Sequence, residues 1–157
     1  MKIVIDTNVV ISGTFFGGNP RKILESVVSH DLDASATTEI IDEYQEIVDE
    51  MIVRKQGHLR KDLLVPFINS LDLIEPVTTT DVCRDLDDNK FLSCAKDSDS
   101  LYIVSGDKDL LELHTFEGIQ RVIVNCCGLK KSVFFIRQPS FVHRPQKLYF
   151  WRQVQVV

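Results

Sequence analysis

The chain lacks the features that mark disulfide-rich, zinc-binding or membrane proteins. Its four cysteines form no C-x-x-C pair, and the adjacent Cys126 and Cys127 are poorly placed for a disulfide or a zinc site. Free thiols in a reducing compartment are therefore expected. No apolar run approaches the ~20 residues of a membrane span, and Asp6 interrupts the first apolar run too early for a secretory signal. We expect a cytoplasmic protein.

Acidic residues are absent from the end of the chain. All 23 lie within residues 1–117, whose net charge is −12, whereas residues 118–157 carry +7. This asymmetry is one signature of a nucleic-acid partner, and a solvated basic tail is the simpler explanation. Basic and aromatic residues alternate there, as on single-stranded nucleic-acid surfaces, although an extra hairpin or a partly disordered end is the structural alternative. We divide the chain into a body, residues 1–125, and an extension, residues 126–157, that is not a separate domain.

Apolar segments typical of buried strands alternate with segments of helical periodicity. The run from Lys2 to Ile5 has almost no polar alternation, which is typical of a strand covered on both faces. No internal repeat or low-complexity linker interrupts the pattern, and the alternation predicts an α/β fold with a parallel sheet and crossover helices. Further strands are predicted over 31–36, 73–77, 101–105 and 120–125. Helices are predicted to start at Asn19-Pro20, at Thr37 or Thr38 and at Asp88, and another helix is predicted over 57–71.

Two acids follow buried strands directly. Asp6 ends the first strand, and Asp107 follows the strand over 101–105, with Asp109 two residues later. Ligands of open α/β sheets bind at this carboxyl edge, because loops there surround a crevice. The structural alternatives are that Asp6 caps a turn and that Asp107 or Asp109 caps the short helix that follows.

Two more acids lie on helix faces that should point inward. Glu43 belongs to the apolar stripe of its helix, between Ile40 and Ile47, and a lone buried carboxylate is costly. Asp88 precedes apolar residues at i+3, i+4 and i+7, which places it on the buried face of a first helical turn. Alternatively, Glu43 is a boundary residue that reaches water, and Asp88 is an ordinary acid at a helix N-terminus.

The joint placement of these acids predicts a cation. Carboxylates brought within a few Å repel one another, so a dense cluster implies an ion that offsets the repulsion. Oxygen ligands without a histidine or cysteine cluster select Mg²⁺ or Mn²⁺ over zinc. Such a site suits phosphoryl transfer. A lysine or arginine tied to each carboxylate, or Asp6 and Asp107 on opposite rims of the molecule, would contradict this hypothesis.

Four segments of the body, taken together and in this order, form a recognisable pattern. They are Ile3-Val4-Ile5-Asp6-Thr7-Asn8, Glu43-Tyr44, Asp87-Asp88-Asn89-Lys90-Phe91-Leu92 and Val104-Ser105-Gly106-Asp107-Lys108-Asp109-Leu110-Leu111. These segments resemble the PIN-domain family, in particular its prokaryotic branch of toxins from toxin–antitoxin systems. The resemblance covers roughly residues 1 to 125 and implies a three-layer α/β/α domain with a central parallel sheet and metal-dependent ribonuclease activity.

The resemblance also implies a substrate, a cofactor, partners and site residues, and the chain departs from the family pattern at one place. RNA, single-stranded or structured, is the implied substrate, Mg²⁺ or Mn²⁺ the cofactor, and an antitoxin protein and a second copy of the chain are partners left open. The family pattern would continue from the last strand into a proline and an acidic helix, whereas this chain continues into Cys126-Cys127-Gly128 and a basic tail. By position, the implied catalytic and metal-binding acids are Asp6, Glu43, Asp88 and Asp107, with Asp109 as an additional metal ligand and Asn8 and Ser105 as polar supports.

The residues are also compatible with two other functions. A phosphatase of the haloacid dehalogenase type would use Asp6 as a nucleophile, but it would need a second aspartate where this chain has Asn8. A non-catalytic PIN-like module would bind RNA or protein without cleavage. RNA binding that ignores a chelator, with no cleavage at any Mn²⁺ concentration, would favour the module.

Overall fold

A computed structural model describes residues 1–55, 61–81, 86–106, 119–123 and 155–156, with only the backbone at 120–123 and 155–156. Asp107, Asp109 and nearly all of the basic extension lie outside these ranges. The strands are β1 Lys2–Ile5, β2 Asp33–Ala36, β3 Asp72–Leu73, β4 Tyr102–Ser105, β5 Gln120–Ile123 and β6 Gln155–Val156. The helices are α1 Thr7–Phe15, α2 Gly18–Val28, α3 Thr38–Arg54, α4 Leu64–Asn69 and α5 Asn89–Asp97, with a 3-10 turn at Leu86–Asp88 before α5.

The strands described form one sheet in the order β3-β2-β1-β4-β5-β6. The first five are parallel, and β6 joins the edge antiparallel to β5. Ile3, Val4 and Ile5 of β1 are at most 1% exposed, as expected for a strand covered on both faces. The predicted three-layer α/β/α fold with a central parallel sheet is confirmed, and β6 is an antiparallel addition at its edge.

Local signals placed two helices correctly. The Thr37 hydroxyl accepts a hydrogen bond from the Ile40 amide (3.4 Å) and caps α3. α2 begins at Gly18, two residues before Pro20, the predicted first helical position, and its N-cap is Gly17, with φ of 77°, in place of the predicted Asn19. Glycine tolerates this left-handed conformation, which turns the chain into the helix.

Three elements differ from the sequence-based predictions. α1 was not predicted: Val9 and Val10 are both fully buried, and a helix covered on several sides has no clear 3.6-residue apolar stripe. Of the helix expected over 57–71, residues 57–60 lie outside the described ranges, and residues 61–71 contain only α4, with Pro66 in its first turn, where a missing amide donor is tolerated. The strand expected over 73–77 is only the two residues of β3, because the Val77 and Thr78 amides donate instead to Asp97.

The sheet reverses its winding between β1 and β4. The chain proceeds from β1 to β2 and β3 on one side, while β4 and β5 lie on the other. β1 and β4 pair in parallel, Ile5 opposite Val104, and the Asp6 amide donates to the Val104 carbonyl (2.9 Å). Their carboxyl ends therefore form the topological switch point, where ligands of such sheets bind.

Two further observations bear on the composition. Cys94 is a free, buried thiol, as predicted, and burial raises its pKa to about 12; the other three cysteines lie outside the described residues. Across the ranges that the structure describes, no helix is both long and apolar enough to cross a membrane.

Candidate active site

Asp6 lies at the switch point with 6% of its surface exposed. Its Oδ1 accepts from the Asn8 amide at 3.3 Å, so the carboxylate caps α1. Its Oδ2 accepts a short hydrogen bond from the Ser105 hydroxyl at the end of β4. The capping alternative is therefore correct for one oxygen, while the other joins the ends of the two central strands.

Asn8 makes a second connection between these strand ends. Its side-chain Oδ1 accepts from the backbone amide of Gly106 at 3.1 Å. Ser105 is 1% exposed and Asn8 is half-buried. Both predicted polar supports therefore lie beside Asp6, which they hold against the β4 end of the crevice.

Glu43 is brought to the same place by α3. The Thr7 hydroxyl, next to Asp6 in the chain, donates to Glu43 Oε1 at 2.6 Å. The Oε2 atom is fully buried, accepts no aligned hydrogen bond among the described residues, and forms a short ion pair with Lys90 Nζ on α5. Glu43 thus has the partner that its position in an apolar stripe required, and that partner is a cation of the chain itself.

Tyr44, the next residue on α3, fixes the helix against β1. Its ring is 1% exposed, and its hydroxyl donates a short hydrogen bond to the Ile5 carbonyl. Burial raises the pKa of Tyr44 well above its ordinary value, and the negative charges of Asp6 and Glu43 raise it further. The phenol therefore stays protonated and holds Glu43 close to the end of β1.

Asp88 lies at the start of α5, at the end of the 3-10 turn. It is half-buried and occupies the N-cap position, but within the described structure its carboxylate makes no capping hydrogen bond. Two residues later, Lys90 contacts Glu43, so the start of α5 lies beside α3. Asp107 and Asp109, with which Asp88 was predicted to share a metal ion, lie outside the described residues.

An acid-rich groove of about 650 Å³ opens beside Glu43. Burial alone would lower the pKa of Lys90, but contact with Glu43 and the charges of Glu43, Glu39 and Asp87 outweigh it and raise that pKa. Sequence reasoning missed Lys90. The available signal was a lysine in the first turn of a helix, where the dipole disfavours a positive charge. The groove is lined by Glu39, Asp42, Glu43, Glu46, Ile47, Asp87 and Lys90.

Comparison with known proteins decides the family. A family profile described as PIN domain matches residues 2–109. The chain belongs to the PIN-domain family. The chain is also 35% identical, over 117 residues, to the uncharacterized protein MJ1680 of Methanocaldococcus jannaschii, an alignment that covers 72% of this chain and 75% of that protein. No solved structure gives a significant match.

PIN domains are generally nucleases that bind nucleic acid and use divalent metal ions. The donors of this PIN domain around Asp6 are carboxylate, hydroxyl and amide oxygens, which suit Mg²⁺ or Mn²⁺. Within the described ranges, no three acidic, histidine or cysteine side chains group closely enough to hold an ion. The predicted set also includes Asp107 and Asp109, which lie beyond those ranges, so the present donors fit a divalent ion as part of a set.

Proposed function

We propose that this PIN domain is a metal-dependent endoribonuclease that hydrolyses RNA phosphodiester bonds with Mg²⁺ or Mn²⁺. The observation that carries the proposal is a buried carboxylate, Asp6, at the switch point of the sheet, with Glu43 joined to its loop through Thr7. Membership of a family of nucleases supports the same chemistry and removes the basis for a phosphatase of the haloacid dehalogenase type.

The proposed roles follow the positions of the acids. Asp6, Asp88 and Asp107 hold the ion, with Asp109 as an additional ligand. Glu43 either binds a second ion or orients a water molecule. In support of them, Ser105 and Asn8 restrict Asp6 to one orientation through their hydrogen bonds. A carboxylate fixed in advance needs no reorganisation when the ion and the phosphate arrive.

The proposed reaction is hydrolysis by in-line displacement. A bound divalent ion would supply positive charge that lowers the pKa of a water molecule and stabilises the leaving oxygen. Oxygen from water forms a bond to phosphorus, the bond from phosphorus to the 3′ oxygen breaks, and the 3′ oxygen receives a proton. The products carry 5′-phosphate and 3′-hydroxyl ends. Tyr44 keeps its proton and serves as a support, because its hydroxyl is bound to the Ile5 carbonyl.

Replacement of Asp6 by asparagine tests the proposal. Asp6→Asn keeps the shape of the side chain and an oxygen acceptor but removes the charge, so cleavage of single-stranded RNA in Mn²⁺ should fall by at least about 10²-fold, the order found when a key electrostatic group is removed. Asp72→Asn, at an exposed position on edge strand β3, is the matched control and should cleave normally. Unchanged cleavage by a folded Asp6→Asn protein would reject the role of Asp6.

We further propose that the chain is the toxin of a toxin–antitoxin pair, with an antitoxin protein as partner. The family resemblance of the four acidic segments supports this role. Induced expression in a host without the antitoxin should stop growth, and expression of Asp6→Asn at the same level should not. Equal growth arrest by both proteins would contradict a toxic nuclease.

One observation favours a second candidate, a non-catalytic RNA-binding module. Lys90 already offsets the charge of Glu43, which is what a structural ion pair would do. This candidate predicts RNA binding that EDTA leaves unchanged and no cleavage across a full Mn²⁺ titration. Cleavage that EDTA abolishes and Mn²⁺ restores would exclude it.

A further inference from the structure

Both oxygens of Glu43 are occupied by groups of this chain. Oε1 accepts from Thr7 at 2.6 Å, and Oε2 is paired with the ammonium of Lys90. The pair is largely withdrawn from water, with 26% of the Glu43 side chain and 17% of the Lys90 side chain exposed. A divalent ion that binds directly to Glu43 must therefore displace the ammonium or lie beside its charge.

The position of Lys90 is unfavourable for its own helix. It follows the N-cap residue Asp88 by two positions, so its charge lies at the positive end of the α5 dipole. Of the described residues that line the acid-rich groove, Lys90 alone is basic. Conflict between a local preference and the observed placement is expected at functional sites, where another interaction compensates for it. Here that interaction is Glu43.

We propose that Lys90 fills the cation position at Glu43, so that this PIN domain binds a single divalent ion on the Asp6 side. The inference rests on the proposed metal-dependent nuclease function and assigns Glu43 its role. Glu43 positions the ammonium and leaves ion binding to the aspartates. Lys90 supplies, within the protein, the second positive charge that a cluster of acids beside a phosphate requires.

The positive charge of Lys90 should keep a second divalent ion away from Glu43. In two-metal nuclease sites the two ions lie ~3.5–4 Å apart. An ammonium held at Glu43 would repel a dication that binds beside it, and the repulsion would be strong because the pair is partly buried. Occupancy of a second ion position therefore depends on the charge of residue 90. Removal of that charge leaves Glu43, still bonded to Thr7, as a partly buried carboxylate without a cationic partner, which would attract a dication.

Counting bound Mn²⁺ tests this directly. The free-ion signal in electron paramagnetic resonance, titrated with full-length protein, gives the stoichiometry independently of activity. The unmodified protein should bind one ion, and Lys90→Met should bind two. Lys90→Arg, which keeps the charge, and Glu43→Gln, which removes the attraction, should each bind one. Lys96→Met applies the same substitution to an exposed lysine on the same helix and should also bind one ion.

The number of bound ions distinguishes the role of Lys90 from the nuclease function itself. Two ions in the unmodified protein, together with cleavage that depends on Asp6, would overturn the role of Lys90 and leave the nuclease function standing. One ion in folded Lys90→Met would overturn it as well. No bound Mn²⁺ and no RNA cleavage by the unmodified protein would remove the proposed function and, with it, this inference. If Lys90→Met fails to fold, Lys90→Gln, which keeps a polar head group near Glu43, takes its place, with the same expected count of two.

Discussion

At the scale of single residues, the carboxylate of Asp6 both caps a helix and connects two strand ends. One oxygen caps α1 and the other is bound by Ser105 across the sheet. Sequence reasoning predicted the acid at the strand end and also the cap, and treated them as alternatives. Local chain geometry does not separate them, because a strand that turns directly into a helix places the cap and the crevice at the same residue.

The Ser105 hydroxyl should matter for both stability and activity. In Ser105→Ala the buried Oδ2 of Asp6 loses this donor, which should lower the free energy of unfolding by about 1–3 kcal/mol. The Asp6 carboxylate then has fewer hydrogen bonds and is less well oriented, so RNA cleavage should fall by about 10-fold, which corresponds to about 1.4 kcal/mol of transition-state stabilisation. Urea denaturation and initial cleavage rates measure the two effects.

Ser29→Ala is the matched control for that substitution. Ser29 is exposed at the end of α2 and donates to Asp31 near the surface. Its removal should change unfolding by less than about 0.5 kcal/mol, as is usual for surface positions, and leave cleavage unchanged. If Ser105→Ala behaves like Ser29→Ala, the hydrogen bond across the strand ends does not orient Asp6.

At the scale of elements, boundaries were predictable where a cap or a periodic stripe defined them. Thr37 caps α3, and the spacing of Ile40, Tyr44 and Val48 gave the buried face of that helix. α1 was missed because its residues are buried on several sides. β3 was overextended because a side chain far along the chain, that of Asp97, accepts hydrogen bonds from the segment predicted to pair. Tertiary contacts of this kind have no local sequence signal.

The crossing of α1 and α2 depends on Gly13. A Cβ added there would lie 2.7 Å from Leu24 Cδ1 and 3.0 Å from the Pro20 carbonyl carbon, and Leu24 is fully buried. Overpacking typically costs about 1–3 kcal/mol, and the better helix propensity of alanine returns about 1 kcal/mol of it. Because the Pro20 backbone cannot move aside as a side chain can, the cost should lie in the upper half of that range, so Gly13→Ala should lower the free energy of unfolding by about 1–2 kcal/mol in urea denaturation.

Ser12→Ala on the same helix is the control for the crossing. Its side chain is half-buried, and its replacement by alanine also gains helix propensity, although less than at a glycine, without a backbone clash. A Leu24→Val substitution should restore part of the loss when combined with Gly13→Ala, because it removes the closest carbon. A stable Gly13→Ala protein would mean that α1 and α2 separate at little cost.

Asp97 ties the segment after β3 to the end of α5. Its carboxylate accepts from the Thr78 hydroxyl (2.5 Å) and from the amides of Val77 (2.7 Å) and Thr78 (2.9 Å). The Thr78 hydroxyl, followed by these amides, lowers the pKa of Asp97. A carboxyl with a lowered folded-state pKa stabilises the fold above its unfolded pKa of about 3.9, and this stabilisation is lost as the pH falls through the folded-state pKa.

Asp97→Asn should therefore flatten the acid side of the stability profile. At pH 7 the loss should be about 1 kcal/mol, reduced by solvent screening because the carboxylate is near the surface. As the pH falls through the lowered folded-state pKa of Asp97, the two proteins should converge, since the native carboxylate then becomes protonated. Thermal unfolding between pH 2 and 7 measures the difference, and Asp99→Asn, at an exposed position two residues later, is the control. Parallel curves for the two proteins would contradict the contribution of Asp97.

At the scale of the whole molecule, the sequence indicated the strands and the acids but not the cation among them. Glu43 and Lys90 are 47 positions apart, and only the packing of α3 against the start of α5 brings them together. The segment containing Lys90 was recognised by its resemblance, yet the lysine received no role. Its ion pair with Glu43 adds a positive charge to the site while the four acidic segments stay the same.

Ion binding at the switch point should stabilise the entire fold. The Asp6 carboxylate joins β1 and β4, and Glu43 links this point to α3 and, through Lys90, to α5, so an ion held there would strengthen a point where two strands and two helices meet. A ligand that binds only the native state contributes about 2.7 kcal/mol at 100 times its Kd. For a chain of this size that corresponds to a rise in Tm of about 5–10 °C.

Differential scanning calorimetry with Mn²⁺ and with EDTA measures this shift. Asp6→Asn should lose most of it, whereas Asp72→Asn should keep it, because Asp72 lies at the far edge of the sheet on β3. The shift should also survive 0.2 M KCl, since a coordinated ion is screened far less than exposed charges. A rise in Tm that Asp6→Asn retains, or that KCl removes, would mean that Mn²⁺ only neutralises the acidic surface and is not held at the crevice.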